Sequence, residues 1–173
     1  EFAPTPEEQT KGYALFARDW MEDVHVNSIP RREEVTRSLS AFASAGELEP
    51  VVFSVYPLRD RGNVTISVSD LVSKAGKIPA AAIQVGVVSH RLSRVTMEGT
   101  VYTIAPRLLM PRATAPLRKG TTTTFWLTLH VPNPVKAVAY KGTIKLAFAD
   151  RKSETLALNV RLFATPLDEA DVP

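Results

Sequence analysis

Cysteine is absent from this chain of 173 residues. Its absence excludes disulfide bonds, thiol nucleophiles and zinc sites built on cysteine. It is compatible with both a reducing and an oxidising compartment. The sequence also lacks any apolar run that approaches the ~20 residues of a membrane-spanning helix. We therefore expect no membrane partner.

A marked excess of one charge is also missing. Lys and Arg number 21 against 18 Asp and Glu, a net charge of +3 that is spread along the chain. Nucleic-acid-binding proteins need a clustered basic surface. The short basic runs at 30–32 and 59–61 are more typical of solvated surface, so we expect no nucleic-acid partner. The apolar fraction of 45% is sufficient for a globular core.

Apolar and polar residues alternate along five stretches, namely 64–69, 83–87, 124–131, 144–148 and 156–162. A period of two indicates strands with one face in a core. Weaker strand candidates are 35–42, 51–56 and 101–109, and Pro, Gly, Asp and Lys fill the turns between them. Only residues 69–74 and parts of the first 25 residues could form a helical turn. The pattern predicts an all-β fold, an antiparallel two-sheet β-sandwich of immunoglobulin-like or jelly-roll-like type, with an irregular N-terminal segment packed on it.

Strand parity also predicts which side chains point inward. The predicted core consists of Phe53, Val55, Val64, Ile66, Val85, Val87, Phe125, Leu127, Leu129, Ile144, Leu146, Phe148, Leu158 and Val160.

Three regions define the predicted domain organisation. Residues 1–11 are polar and proline-rich, which favours a flexible leader, and Glu1-Phe2 has the character of a cloning remnant. Residues 12–163 form a single β-sandwich domain. Residues 164–173 are acidic and bounded by proline, which favours a linker toward a missing C-terminal domain.

Two carboxylates, Glu47 and Glu49, precede an apolar run. On a strand, alternate residues share a face ~7 Å apart, and glycosidases use carboxyl pairs ~5–9.5 Å apart. Pro50 follows and indicates a strand start or an edge. Nothing in the neighbouring sequence would raise the pKa of either carboxyl, as an acid catalyst requires. We interpret the pair as solvated acidic side chains at the edge of a sheet.

Other catalytic patterns are weak. The serines lack a Gly-x-Ser-x-Gly motif, and His25, His90 and His130 lie in no metal-binding spacing. Each histidine is more typical of a surface or strand position. We expect no catalytic residue, no histidine metal site and no cofactor in this chain, whereas a surface Ca²⁺ held by loop carbonyls stays open.

Aromatic residues offer a different function, because a flat ring can stack on the apolar face of a sugar. Trp126 has the opposite parity from Phe125 and Leu127, so it leaves the core on the outer face of its sheet. Together with Trp20 and Tyr13 it could form a carbohydrate-binding platform. Alternatively, the N-terminal segment with Phe16 and Trp20 folds over Trp126 and covers it. We favour the second interpretation, because an exposed tryptophan is unfavourable.

Several phrases in a fixed order resemble one known domain. They are "KGYALFARDW", "SAFASAGELEPVVFSVYPLRD", "NVTISVSDL", "TFWLTLHVP", "YKGTIKLAF" and "ETLALNVRLFATPL". Over residues 11–166 the chain resembles the N-terminal β-sandwich domain of glycoside hydrolase family 123 and related bacterial proteins. The resemblance implies a sandwich that precedes a (β/α)₈ barrel, in which β-linked N-acetylgalactosamine is hydrolysed with an adjacent Asp-Glu pair. Asp168-Glu169 is such a pair, but it precedes any barrel and takes no catalytic role from the family.

Three functions follow from these observations. The first is a non-catalytic accessory domain whose partner is the missing C-terminal catalytic domain of the same chain. The resemblance also implies a secreted, periplasmic or cell-envelope protein. The alternatives are an autonomous carbohydrate-binding module, with a polysaccharide or glycan as partner, and an immunoglobulin-like protein-interaction domain. A fold alone does not distinguish them.

Overall fold

The structure is a computed structural model that describes residues 2–165. One helix, α1 (Pro6–Lys11), and two 3₁₀ turns (Arg32–Glu34 and Ala80–Ala82) lie among its strands. The strands within these residues are β1 (Tyr13–Phe16), β2 (Ser38–Ser44), β3 (Leu48–Pro57), β4 (Gly62–Val68), β5 (Leu71–Ser73), β6 (Gly76–Ile78), β7 (Ile83–Arg94), β8 (Tyr102–Met110), β9 (Thr114–Leu117), β10 (Thr123–His130), β11 (Ala139–Phe148) and β12 (Ser153–Phe163). The Asp168-Glu169 pair and most of the predicted linker lie outside the described residues.

Two packed sheets form the fold. The first has the order β1-β3-β10-β7-β8, and its neighbouring strands are antiparallel. The second has the order β2-β12-β11-β4-β9, with the short hairpin β5-β6 attached to β11. In this sheet β2 runs parallel to β12, whereas the other pairs are antiparallel. The predicted all-β sandwich is confirmed.

The core lies between the two sheets and follows the predicted parity. Every residue of the predicted core except Val85 is buried. Val85 is partly buried and packs against the same cluster. Strand β8 pairs with β7 only from Val87 onward, so no neighbouring strand covers Val85 on that side.

Residues 69–74, considered for a helical turn, instead contribute β5. Leu71 is fully buried in the core, and it pairs with Ile78 of β6. The hairpin turns at residues 74–75, and β6 begins at Gly76, whose φ of 144° is accessible to glycine and rarely to other residues. Burial of Leu71 between the sheets therefore outweighs the weak local preference for a helix.

Part of the region predicted as a flexible leader is a helix that contacts the sandwich. Thr5 and Glu8 cap α1 reciprocally, and Gly12 ends it in the left-handed conformation with a φ of 82°. The helix is fastened by ion pairs from Glu8 to Arg32 (2.7 Å) and from Lys11 to Glu154 (2.7 Å). The proline-rich composition did not reveal these pairs, because both partners lie far along the chain.

Residues 17–34, which we call the N-terminal strap, connect β1 to β2 across the outer face of the first sheet. The strap follows no regular period, but its residue Val24 is buried. In the described part of the chain, no helix has the length and apolar character needed to cross a membrane.

Candidate functional site

Trp126 lies where its parity predicted, on the outer face of the first sheet. In the register of the sheet it stands between Val52 of β3 and Gly86 of β7. A Cβ on Gly86 would come within 2.5 Å of the Leu109 side chain, so glycine allows Leu109 to pack beside the tryptophan. The indole is half-buried.

The N-terminal strap brings Trp20 onto this tryptophan. The two rings meet edge to face, with centroids 6.3 Å apart and an interplanar angle of 77°, a favourable geometry for aromatic pairs. On another side, Trp126 borders an open depression of about 400 Å³ that is also lined by Val88, Pro106 and Leu109. The structure thus joins two of the three predicted site residues, and the strap covers part of Trp126.

Histidines hold the strap in place, which the sequence did not indicate. His90 Nε2 lies 2.8 Å from the carbonyl oxygen of Val24, and His25 Nδ1 lies 3.0 Å from that of Ile104. Thr122 adds a hydrogen bond from its N–H to the carbonyl of Val26, at 2.8 Å. Because these bonds join side chains or backbone groups to distant backbone atoms, no spacing motif could have revealed them.

Two arginines that bind one carboxylate fix the other end of the strap. Arg18 donates two hydrogen bonds to Glu34, at 2.7 and 2.9 Å, and Arg31 donates to the same carboxylate from its backbone and its side chain. Burial alone would raise the pKa of Glu34, but these hydrogen bonds outweigh it and lower the pKa to about 2. Glu34 is therefore ionised and fully partnered, which is a structural role.

Tyr13, the third predicted site residue, is not part of an exposed platform. Its side chain points into the core, where its ring lies 4.8 Å from that of Phe148. Its hydroxyl donates to Glu154 at 3.0 Å. Tyr13 precedes Phe16 by three residues, so on an extended strand the two side chains point to opposite faces, and Phe16 is the one that lies with the strap. The predicted grouping with Trp20 and Trp126 is wrong for Tyr13.

The two carboxylates of the β2–β3 turn have different roles. Glu47 accepts a hydrogen bond from the N–H of Ser44 at 2.7 Å and so closes the turn. Burial raises the pKa of the Glu49 carboxyl, and the negative charge of Glu47 raises it further. The expectation that nothing nearby would raise a pKa here is therefore wrong. Burial in the folded chain is the larger cause, and the charge of Glu47, two residues away, is the smaller one.

Glu49 lies in a cleft that we call the edge groove. The groove is formed by residues 17–20 and 33–34 of the strap, Thr36, residues 38–42 of β2 and residues 49–52 of β3, and its volume is about 450 Å³. It opens at the side of the sandwich, where the two sheets have their terminal strands. Sequence reasoning did not find it, because its walls come from three separate segments.

A second exposed feature is the end of the β7–β8 hairpin, residues 90–106, which we call the ribbon. Leu92 and Ile104 face each other across its two strands, and Arg94 faces Tyr102 one step further on. These side chains share one face of the ribbon, and Leu92 is 69% exposed. An apolar face of this kind is typical of a surface that contacts another macromolecule.

Within residues 2–165, no three or more His, Asp or Glu side chains are grouped so that they could hold a metal ion. His130 is exposed at the end of β10. The histidines at positions 25 and 90 contact backbone carbonyls, as described above.

The sequence matches no protein-family model and no curated protein. The fold is similar to that of a family 123 glycoside hydrolase from Clostridium perfringens, an enzyme of glycolipid glycan hydrolysis, with a TM-score of 0.67 and 17% identity. The alignment covers 75% of this chain and 23% of the enzyme, so the chain spans about a quarter of its length. The resemblance seen in the sequence is thus supported at the level of the fold.

Two further solved structures match with lower TM-scores. A protein that catalyses macrocyclization in alchivemycin A biosynthesis gives a TM-score of 0.46 at 11% identity, over 73% of this chain and 86% of that protein. A Niemann-Pick type C2 protein from the Japanese carpenter ant gives 0.40 at 11% identity, over 70% of this chain and 79% of its own. Neither similarity is high enough to bear on function.

Proposed function

We propose that this chain is a non-catalytic accessory β-sandwich domain of a larger, glycoside-hydrolase-like protein. In this proposal it packs against a catalytic (β/α)₈ domain and supports its stability. The observation that carries the proposal is the fold similarity to about a quarter of a family 123 glycoside hydrolase.

The ribbon supplies a surface suited to such packing. Domain interfaces bury apolar side chains at their centre and keep charged groups at their rim. The ribbon presents Leu92, Ile104 and Tyr102 on one face. Arg94 on the same face lies 5.6 Å from the centre of the Tyr102 ring and supplies a charged group beside them. We assign this face to contact with the catalytic domain.

A comparison of the chain alone with a longer chain tests the proposal. The chain is produced alone, and also joined to the polypeptide that follows it in its gene, and hydrolysis of aryl β-N-acetylhexosaminides is measured together with thermal unfolding. We expect no turnover from the chain alone. We expect the joined protein to be active and to unfold in one transition, at a higher temperature than the catalytic part by itself.

A charge placed on the ribbon tests the assigned surface. Ile104→Asp, at a residue that is 50% exposed, should separate the unfolding transitions of the two domains. The matched control is Val72→Asp in β5, since Val72 is 55% exposed and lies on the other sheet. Independent unfolding of the unmutated domains would contradict the proposal, as would turnover by the isolated chain that Glu49→Gln abolishes.

A further inference from the structure

The edge groove is bounded by two strand edges that lack a neighbour. Strand β2 is the terminal strand of the second sheet. Strand β1 pairs with β3 only at residues 54–57, so the stretch 49–52 has no strand beside it on that side. The groove therefore runs along an open seam between the sheets, and its volume of about 450 Å³ is within the usual range for a small-ligand site.

Two exposed aromatic residues on different segments line the groove. Phe42 alternates with the buried Ala41 and Ala43, so its ring lies at the outer rim of the groove. Trp20 on the strap is 52% exposed, and Phe42 on β2 is 58% exposed. Each is extended by a second ring: Trp126 lies 6.3 Å from Trp20, and Phe163 is stacked on Phe42 at 6.1 Å. Flat apolar rings that are held by neighbours, yet open to solvent, suit the C–H face of a pyranose, which also has a flat apolar side.

The floor of the groove carries a carboxylate with unused hydrogen-bonding capacity. Burial and the charge of Glu47 are the causes of the raised pKa of Glu49, and no hydrogen bond to a described residue counteracts them. An ionised carboxylate can accept several hydrogen bonds, and leaving it desolvated without a donor is unfavourable. Two adjacent hydroxyl groups of a sugar would supply such donors. Ser40 lines the same groove.

The charged residues that line the edge groove limit the class of ligand that it can bind. Asp19, Glu33 and Glu49 all line the groove. Glu34 also lines the groove and is shared by Arg18, the one arginine of the lining, and by Arg31. These three residues together leave one positive charge against the three carboxylates. The resulting negative potential disfavours uronic acids and sulfated sugars and is compatible with neutral ones.

An extended peptide added to the open strand edge is the other possible occupant, but the β3 side of the groove suits it poorly. Strand addition requires a continuous row of backbone donors and acceptors. Pro50 lacks an N–H, and proline is tolerated in a sheet where its nitrogen faces a free edge. The row on β3 is therefore interrupted in the middle of the groove.

We infer that the edge groove binds a neutral oligosaccharide, with Trp20 and Phe42 stacking on sugar rings and Glu49 accepting hydrogen bonds from sugar hydroxyls. Binding here goes beyond the accessory role, and it does not require the catalytic domain. Each proposal can therefore fail without the other.

Native affinity electrophoresis of the chain tests this binding site. The gels contain galactomannan, xylan, a mixed-linkage β-glucan or a galactosamine-containing neutral polysaccharide, with polygalacturonate as the anionic probe. We expect retardation by at least one neutral polysaccharide and none by polygalacturonate. Trp20→Ala and Phe42→Ala should each lower the affinity for the retarding polysaccharide about tenfold, and Glu49→Gln should lower it several-fold.

Control variants separate binding from folding. Tyr102→Ala removes an aromatic ring that is 51% exposed but lies on the ribbon, and it should leave retention unchanged. Each groove variant is also checked by thermal unfolding. Because Phe42 and Trp20 are both exposed and lie on different segments, replacing one of these side chains should leave the position of the other unchanged.

Three results would overturn the inference. The first is the absence of retention by every neutral polysaccharide in the panel. The second is retention that Trp20→Ala, Phe42→Ala and Glu49→Gln leave unchanged in stably folded protein. The third is protection of the β2 amides from hydrogen exchange by an uncharged strand-forming peptide when none of the polysaccharides protects them, which would assign the groove to a peptide.

Discussion

The N-terminal strap and the ribbon both lie outside the core between the two sheets, but they differ in what holds them. The strap has no regular hydrophobic period, yet its carbonyl groups are bonded to His90 and Thr122. Its own His25 side chain contacts the carbonyl of Ile104, and Val24 is buried. The ribbon has paired strands, yet Leu92 and Ile104 remain exposed. Regular local structure and burial are thus separate properties, and each must be argued from contacts.

The largest expected effect compares one substitution at two leucines. Leu127→Ala in the core should lower the free energy of unfolding by about 2–5 kcal/mol, because it leaves a cavity. Leu92→Ala on the ribbon should change it by less than about 0.5 kcal/mol, because the side chain is already in solvent. Urea unfolding of both variants measures the difference. An equally large loss for Leu92→Ala would show that the ribbon is packed and would remove the contrast.

The strap depends on Glu34, whose side chain is nearly buried together with that of Arg18. Glu34→Ala leaves Arg18 without its partner and should lower the free energy of unfolding by about 3 kcal/mol. Glu98→Ala, at an exposed position of the ribbon, is the matched control and should have little effect. Similar unfolding midpoints for the two variants would contradict the anchoring role of this ion pair.

Acid should act on the strap through the same carboxylate. The pKa of Glu34 is lowered to about 2 in the folded protein, from an ordinary value of 4.5. A lowered pKa stabilises the fold above the unfolded value, and the stabilisation is lost as the pH falls from about 4.5 toward 2. Its full size is about 3 kcal/mol. Glu34→Gln should flatten the stability profile over this pH range, and an unchanged profile would contradict the assignment.

The smallest expected effect concerns the contact between Trp20 and Trp126. Trp20→Ala removes an edge-to-face pair and should lower the free energy of unfolding by about 1 kcal/mol. It should also shift the emission of Trp126 to longer wavelength, because that ring becomes more exposed to water. Tyr102→Ala on the ribbon should leave the emission unchanged. If Trp20→Ala leaves it unchanged as well, the strap does not cover Trp126.

The strands and their inward faces were predictable because a period of two reports burial on one side of a strand. Trp126 was placed on the correct face for the same reason. Helix α1 lies within the first 25 residues, where a helical turn was allowed, but its contact with the distant Glu154 was not predicted. The strand at Leu71 was not predicted, since it depends on burial in the core and on the pairing of Val72 with the distant Lys141. Local patterns carry no information about such contacts.

The candidate site was predictable only in part. Parity identified Trp126, and the aromatic content of the strap identified Trp20. Tyr13 was misplaced because aromatic character alone does not tell whether a ring faces the core. Phe42 and Glu49 were not recognised as neighbours of Trp20, because the edge groove exists only once β2, β3 and the strap have been brought together.

The parallel pairing of β2 with β12 has a consequence for synthesis. Strand β12 lies between β2 and β11, so β2 joins its sheet only through the last of the described strands. During translation, Leu39 and Ala41 leave the ribosome long before Leu158 and Val160, the residues with which they pair, have been made. Pairings between residues distant in sequence form slowly. An unpaired strand edge is prone to aggregate until its partner strand has been synthesised. The nascent chain therefore cannot complete its second sheet until residue 163 has emerged, and until then the early strand is a natural target for chaperones.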